Sequence, residues 1–336
     1  MAGGVEARVG TRGPVLGTPT RDIRLTQLTA TMRKIERLFV CVGAQKAGTT
    51  WLYRQFEGHA DFGQPFFKEV HYFDHVHCGT RYLNDTRLSV LVWHAQNKPE
   101  ELARWIHGDH PSRGSSEVGQ VLDAVTQRLS DDWYIDAMTT RARWAIDFSP
   151  GYATIGWVGF AHMRRLAHQI VPCFVMRHPV ERAWSSLVHE FTFGAWRRAE
   201  TDVSRVPEAD VRAWLTDEAN MVHAYTDYWA TLCALDTVFG LNAVSLVFHD
   251  EIKQNPEAVV NRLYKRLEVD PATLNRELLT ARVFKSPQSE IPDYARKLLT
   301  EQWAPMVRRI DQDICHVPHA WRQDFGIGSR IQSRHP

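Results

Sequence analysis

Residues Leu38-Phe39-Val40-Cys41-Val42 form an apolar run that breaks at Gly43 into a loop carrying Lys46, closes at Gly48 and continues as Thr49-Thr50-Trp51-Leu52. A short, wholly apolar run reads as a strand buried on both faces, and a helix is expected from Thr49. Strand, glycine-bracketed loop and helix in succession make a cradle of backbone N–H groups backed by a helix dipole, both suited to an anion. The pattern is not that of the nucleoside-triphosphate loop G-x-x-x-x-G-K-[ST], in which lysine follows the second glycine and a hydroxyl is reserved for Mg²⁺. Gly43 and Gly48 keep that spacing, but the lysine lies inside the loop and Thr49 takes its place. A cation there can neutralise a phosphate region and follow charge onto a leaving oxygen, work that a metal performs elsewhere.

Further strand-like runs recur at Arg143-Trp144-Ala145-Ile146-Asp147, at Ile170 to Met176 and at Ala243 to Phe248, with helical stretches expected at 153–168, 208–238, 256–268 and 293–311. Residues 95–140 read as mainly helical with polar breaks between Gly108 and Ser116, and Pro65 to Asp74 as a second strand edge or the loop leading from it. Strands of this length separated by helices imply an α/β fold, a three-layer domain with a central parallel sheet flanked by helices on both faces. Such a sheet places ligands at the carboxyl ends of its strands. A polar leader over 1–34, rich in Gly, Pro, Thr and Arg, is expected to be mobile; 35–325 reads as one domain, and 326–336 as a C-terminal tail.

Charge narrows the partners. With 40 basic against 39 acidic residues the formal net charge is +1, so no global field holds the chain on nucleic acid or an anionic membrane, and anion binding must be local. The five cysteines are an odd number without close pairs and read as reduced thiols. No apolar run is long enough for a membrane span and the leader lacks a signal-peptide core, which points to the cytoplasm. His71, His75 and His77 come without an evident set of carboxylate or cysteine partners, so no metal is expected.

A second segment sharpens the reading. Arg177-His178-Pro179 ends the run at Met176 and opens a helix carrying Arg182, Ser185 and His189. An arginine at a strand end can pair with a phosphate in bidentate fashion, and the Ser185 hydroxyl can donate to the same group. Two anion sites at neighbouring strand ends suit a nucleotide phosphorylated at two positions. With both segments in view the chain resembles the sulfotransferases that use 3′-phosphoadenosine 5′-phosphosulfate (PAPS). Gly43, Lys46, Gly48, Thr49 and Thr50 match that family's 5′-phosphosulfate loop, and Arg177, Pro179, Arg182, Ser185 and His189 match its 3′-phosphate pattern R-x-P-x-x-R-x-x-S-x-x-x-H. Lys68-Glu69-Val70-His71-Tyr72-Phe73 is similar to the K-E-x-x-[FY]-F segment of the heparan-sulfate-type branch and its bacterial relatives. Asp147 to Tyr152 and Phe248 to Pro256 resemble two further family segments, the latter departing at His249 and Ile252.

The resemblance implies a P-loop-like fold and sulfuryl transfer from PAPS to a hydroxyl or amine of an acceptor, a carbohydrate, glycolipid or other small molecule, without a metal. It implies that Lys46 stabilises the leaving oxygen, that Glu69 is the general base and that His71 and His189 assist. Gly43, Gln45, Ala47, Gly48, Thr49, Thr50 and Trp51 would line the donor site with Lys46, while Arg177 and Ser185 would hold the 3′-phosphate and Lys285 would add a late contact. Arg182 reads as a helix brace held by an ion pair. The competing readings are a P-loop nucleotide kinase or NTPase, with Asp147 as its metal-side acid, and a non-catalytic PAPS- or bisphosphate-binding module. Neither acceptor identity nor oligomeric state follows from the sequence.

Overall fold

The structure, a computed structural model, describes residues 33–65, 68–79, 96–97, 100, 129–193, 206–280 and 289–328. The leader up to residue 32, residues 101–128 of the stretch expected to be mainly helical, Lys285 and the tail from residue 329 lie outside the described residues.

Five parallel strands form one sheet in the order β2-β3-β1-β4-β5: β1 (Ile35–Gly43), β2 (Phe62–Gly63), β3 (Trp144–Phe148), β4 (Ala167–Met176) and β5 (Ser245–Phe248). Strand β1 is central, pairing Val40 with Asp147 on one side and Cys41 with Cys173 on the other. Leu38 to Val42 are fully buried, as a continuous apolar run in a covered parallel strand requires. Because the chain crosses over β1 between β3 and β4, a crevice opens at the carboxyl end of β1, where the glycine-bracketed loop begins.

Helices flank the sheet. Helix α1 (Thr49–Phe56) stacks Phe56 on Phe39 of β1, with ring centroids 4.9 Å apart. Helix α2 (Tyr72–Cys78) follows the Glu69 segment and α3 (Asp131–Met138) precedes β3, its N-terminus capped by Ser130, which accepts from the Trp133 N–H. A 3-10 turn at Pro150–Thr154 leads from β3 into α4 (Gly156–Arg165), and α5 (Pro179–Phe193) leaves β4. Of the two readings of Pro65 to Asp74, the described residues bear out the loop that leads from β2 rather than a strand edge. The backbone N–H groups of Val70 and His71 donate to Ser149 Oγ at 2.7 and 3.2 Å rather than to a neighbouring strand, and His71 turns left-handed at φ 55° to start α2.

The single helix expected over 208–238 is three: α6 (Glu208–Thr216), α7 (Met221–Thr226) and α8 (Tyr228–Phe239). Asn220 and Asp227 cause the breaks, since their side chains accept from Val222 N and Ala230 N, each at 3.0 Å, and so restart the helix rather than continue it. Helices α9 (His249–Gln254), α10 (Pro256–Arg266), α11 (Asp293–Asp313) and α12 (His319–Asp324) complete the described residues.

Candidate active site

The loop between β1 and α1 bends where its residues permit. A Cβ on Gly43 would stand 2.9 Å from Ala153 Cβ, and Gly48 adopts φ +97° with no room toward His249, whose Cδ2 would lie 3.0 Å from an added Cβ. Lys46 is left-handed at φ 65°, an uncommon conformation for a residue with a side chain. Ala47 is fully buried and Thr49 nearly so, and no side chain caps the N–H groups opening α1. Those donors, with Thr50 partly exposed beside them, remain available to an anion.

No hydrogen bond or ion pair of the described residues engages the Lys46 ammonium. Burial lowers its pKa to about 8, against the charges of Glu69 and Glu190, which act to raise it. Both carboxylates therefore lie within electrostatic reach of the lysine. Arg177, at the end of β4, donates from Nη1 to the Lys46 carbonyl at 3.3 Å and from Nε to Glu181 at 3.1 Å. Lys253 of α9 shares Glu181 at 3.6 Å. Ser185 lies half-buried on α5, and His189, further along α5, has its pKa lowered by burial and by Lys46. Trp51 donates its indole N–H to Leu279 O at 3.3 Å and is half-buried beside the loop.

On the other side of the loop the Glu69 segment forms a clasp. His71 donates from Nδ1 to Asp74 Oδ2 at 2.7 Å, and its Nε2 stands 3.1 Å from Glu69 Oε2; Lys68 Nζ holds Glu69 Oε1 at 2.8 Å. Against the effect of burial, the bonds to Asp74 and Glu69 raise His71 to about 9, so the imidazole is charged at neutral pH. Burial alone would raise Glu69, but His71 and Lys68 hold it at about 2. An extended segment would send Lys68 away from Glu69; the chain bends at Lys68 and turns left-handed at His71, and both cations reach the same carboxylate.

The clasp rests on β3. Buried Asp147 accepts from Ser149 Oγ at 2.6 Å through Oδ1, and from Tyr134 and Tyr152 at 3.0 and 2.9 Å through Oδ2. Ser149 in turn takes the N–H groups of Val70 and His71. Burial raises Asp147 to about 6 despite those hydroxyls. Both of its oxygens are engaged in scaffold, a different use from that of a metal-side acid. Among the described residues no group of three or more His, Cys, Asp or Glu is arranged to hold a metal ion, and no helix is long and apolar enough to cross a membrane.

Sequence reasoning missed the roles of Asp74 and Ser149 and gave Arg182 a different partner. Asp74 is the clasp's second carboxylate, three residues after His71 and visible only once α2 is known to start at Tyr72. Ser149 fixes the clasp's backbone from a distant segment. Arg182, expected in an ion pair, has none among the described residues; it donates to the carbonyls of Gln45 and Val222 at 3.4 and 3.0 Å.

Comparison with known proteins agrees with this architecture. The sulfotransferase of Alicyclobacillus acidocaldarius superposes with a TM-score of 0.54 at 21% identity, covering 85% of this chain and 99% of that one, which shows a shared fold. The sulfotransferase domain of the Synechococcus PCC 7002 olefin synthase gives 0.43 at 17% identity, over 87% and 92% of the two chains. A sulfotransferase of Mycobacterium avium gives 0.44 at 11%, over 84% and 78%. No curated protein sequence matches the chain. Residues 39–273, well over half of the 336, match the model of the family described as Sulfotransferase family. The chain belongs to the sulfotransferase family.

Proposed function

We propose that the protein transfers a sulfuryl group from PAPS to a hydroxyl or amine of an acceptor, a carbohydrate, glycolipid or other natural product. The observation that carries this reading is the pairing of a Lys46 ammonium that no described residue bonds, in a loop that opens on the N-terminal N–H groups of α1, with the Glu69 carboxylate within its electrostatic reach. A loop with glycines at both ends, Thr49, Thr50 and a nearby strand-end arginine fits a phosphosulfate on one side and a second phosphate at Arg177 and Ser185.

In this mechanism the acceptor oxygen bonds to sulfur as the bridging sulfur–oxygen bond breaks, and the departing oxygen remains on the 5′-phosphate. Lys46 and the N–H groups of residues 48–50 meet the charge that develops there, while the Ala47 N–H closes the loop on the Ala44 carbonyl at 3.2 Å. Glu69 takes the acceptor's proton. Held at about 2, it is a weak base in the free protein, so it orients the hydroxyl first and accepts the proton after the new bond has begun to form and the oxygen has become acidic. The charged His71 keeps that carboxylate in place and cannot itself take a proton at neutral pH. Lys68, partly exposed, is free to move from Glu69 toward the sulfuryl oxygens as the acceptor arrives. His189 lies near enough to Lys46 to orient groups on the acceptor side.

The K-E-x-x-[FY]-F segment favours a glycan-type acceptor. Isothermal titration with adenosine 3′,5′-bisphosphate, and separately with ATP and Mg²⁺, tests the donor. Bisphosphate binding without ATP binding is the expected result; the reverse would return the chain to the kinase reading. Acceptors can then be screened with ³⁵S-labelled PAPS.

A further inference from the structure

Arg182 is the one large cation of the described core. It lies in the first turn of α5 with no exposed surface, and its Nε has no hydrogen-bond partner. Neighbouring Arg177 has Glu181 and so does Lys253, but no ion pair of the described residues includes Arg182. A buried guanidinium stays charged, and burying it without a counter-charge opposes folding. A residue serving only as a brace does not need that charge.

Its contacts say what it does. Nη1 reaches the carbonyl of Gln45, the residue directly before Lys46, and Nη2 reaches the carbonyl of Val222 on α7. The first bond fixes the peptide from which Lys46 departs at its left-handed φ of 65°. The second ties that peptide to α7. The same charge also acts through space on Lys46 and helps keep its pKa down. Among the described residues neither Lys46 nor Arg182 bonds a carboxylate; Glu181 serves Arg177 and Lys253, and Glu69 and Glu190 act on Lys46 through space, so four cations here face three carboxylates. The surplus is positive and lies under the anion cradle.

We infer that Arg182 is a positioning residue of the donor site, which holds the Lys46 loop from beneath and contributes a fixed positive charge whose counter-charge arrives with the anionic donor. This rests on the proposed use of PAPS, and the test separates the two. Wild type, Arg182→Gln and Arg182→Lys are titrated with adenosine 3′,5′-bisphosphate by calorimetry from pH 6 to 9.5. Glutamine keeps a hydrogen-bond donor without the charge; lysine keeps the charge without the fork.

Wild-type affinity is expected to fall as pH rises through the Lys46 value of about 8. Arg182→Gln binds at least about tenfold more weakly at pH 7, the scale of one lost charged interaction. Its alkaline midpoint moves upward, because Lys46 loses a like-charged neighbour. Arg182→Lys keeps the wild-type midpoint and most of the affinity. A brace without an electrostatic role would weaken both variants equally and leave the midpoint in place, and that result overturns the inference, as would wild-type binding by Arg182→Gln. Should the glutamine variant fail to fold, the lysine variant decides: an unmoved midpoint with affinity within a few-fold supports the role, and a moved midpoint with a large loss overturns it. Failure of the wild type to bind bisphosphate at any pH would instead overturn the PAPS reading.

Discussion

Gly151 lies so close to Asp74 that a Cβ on it would stand 2.5 Å from the carboxylate Oδ2 and 3.1 Å from His71 Nδ1. The glycine in the turn after β3 is therefore what lets the His71–Asp74 bond close. Gly151→Ala should push Asp74 off the imidazole and destabilise the fold by about 1–3 kcal/mol, as overpacking of a filled core does. Because the Asp74 bond is the largest influence raising His71, the His71 midpoint should fall below its value of about 9. Ring chemical shifts followed by NMR across pH 5–10 check this; an unchanged midpoint would show that the clasp tolerates the methyl group.

Lys46→Ala removes the cation placed against the leaving oxygen. Loss of a group that acts chiefly in the transition state should lower kcat by roughly 10²–10³-fold or more, with a smaller change in bisphosphate affinity. Single-turnover transfer from ³⁵S-labelled PAPS, compared with calorimetric binding, separates the two. A variant that bound a hundredfold more weakly but turned over at the wild-type rate would make Lys46 a binding residue only.

The two anion segments were legible because each sits where an apolar run stops: Val42 gives way to Gly43, and Met176 to Arg177-His178-Pro179. Burial on both faces of a parallel sheet writes itself into sequence as such runs, so the α/β class and the strand-end site follow from local pattern. The clasp was only half legible. Glu69 and His71 belong to a short motif, but Ser149, which holds their backbone, is 79 residues from Val70 and bonds it through tertiary packing alone. Arg182 was misread because helix position says nothing about a partner across the fold. The breaks at Asn220 and Asp227 were missed because apolar periodicity runs through them while side-chain capping interrupts the backbone.

Arg177→Ala removes a guanidinium that bonds the Lys46 carbonyl and stands at the proposed 3′-phosphate. A lost charged hydrogen bond of about 1.5–3 kcal/mol corresponds to roughly ten- to a hundredfold weaker bisphosphate binding. The loss should be much smaller for adenosine 5′-phosphate, which lacks the 3′ group. Equal losses for both ligands would place Arg177 at the 5′ side or in the scaffold.

The clasp also sets a pH window for stability. His71 is raised from 6.5 to about 9 on folding, so its contribution is complete below pH 6.5 and is lost as pH rises from there through 9. Glu69 is lowered from 4.5 to about 2, so its contribution is complete above pH 4.5 and is lost as pH falls through 2. Denaturant unfolding of wild type and of His71→Gln should therefore differ most between about pH 4.5 and 6.5, and the difference should shrink steadily toward pH 9. Glu69→Gln deletes one carboxylate from the imidazole and should lower the His71 midpoint while leaving bisphosphate binding nearly intact. It should also cut transfer by roughly 10²–10⁴-fold if Glu69 takes the acceptor's proton. Full activity in that variant, with the His71 midpoint lowered, would keep Glu69 in the clasp and remove it from the chemistry.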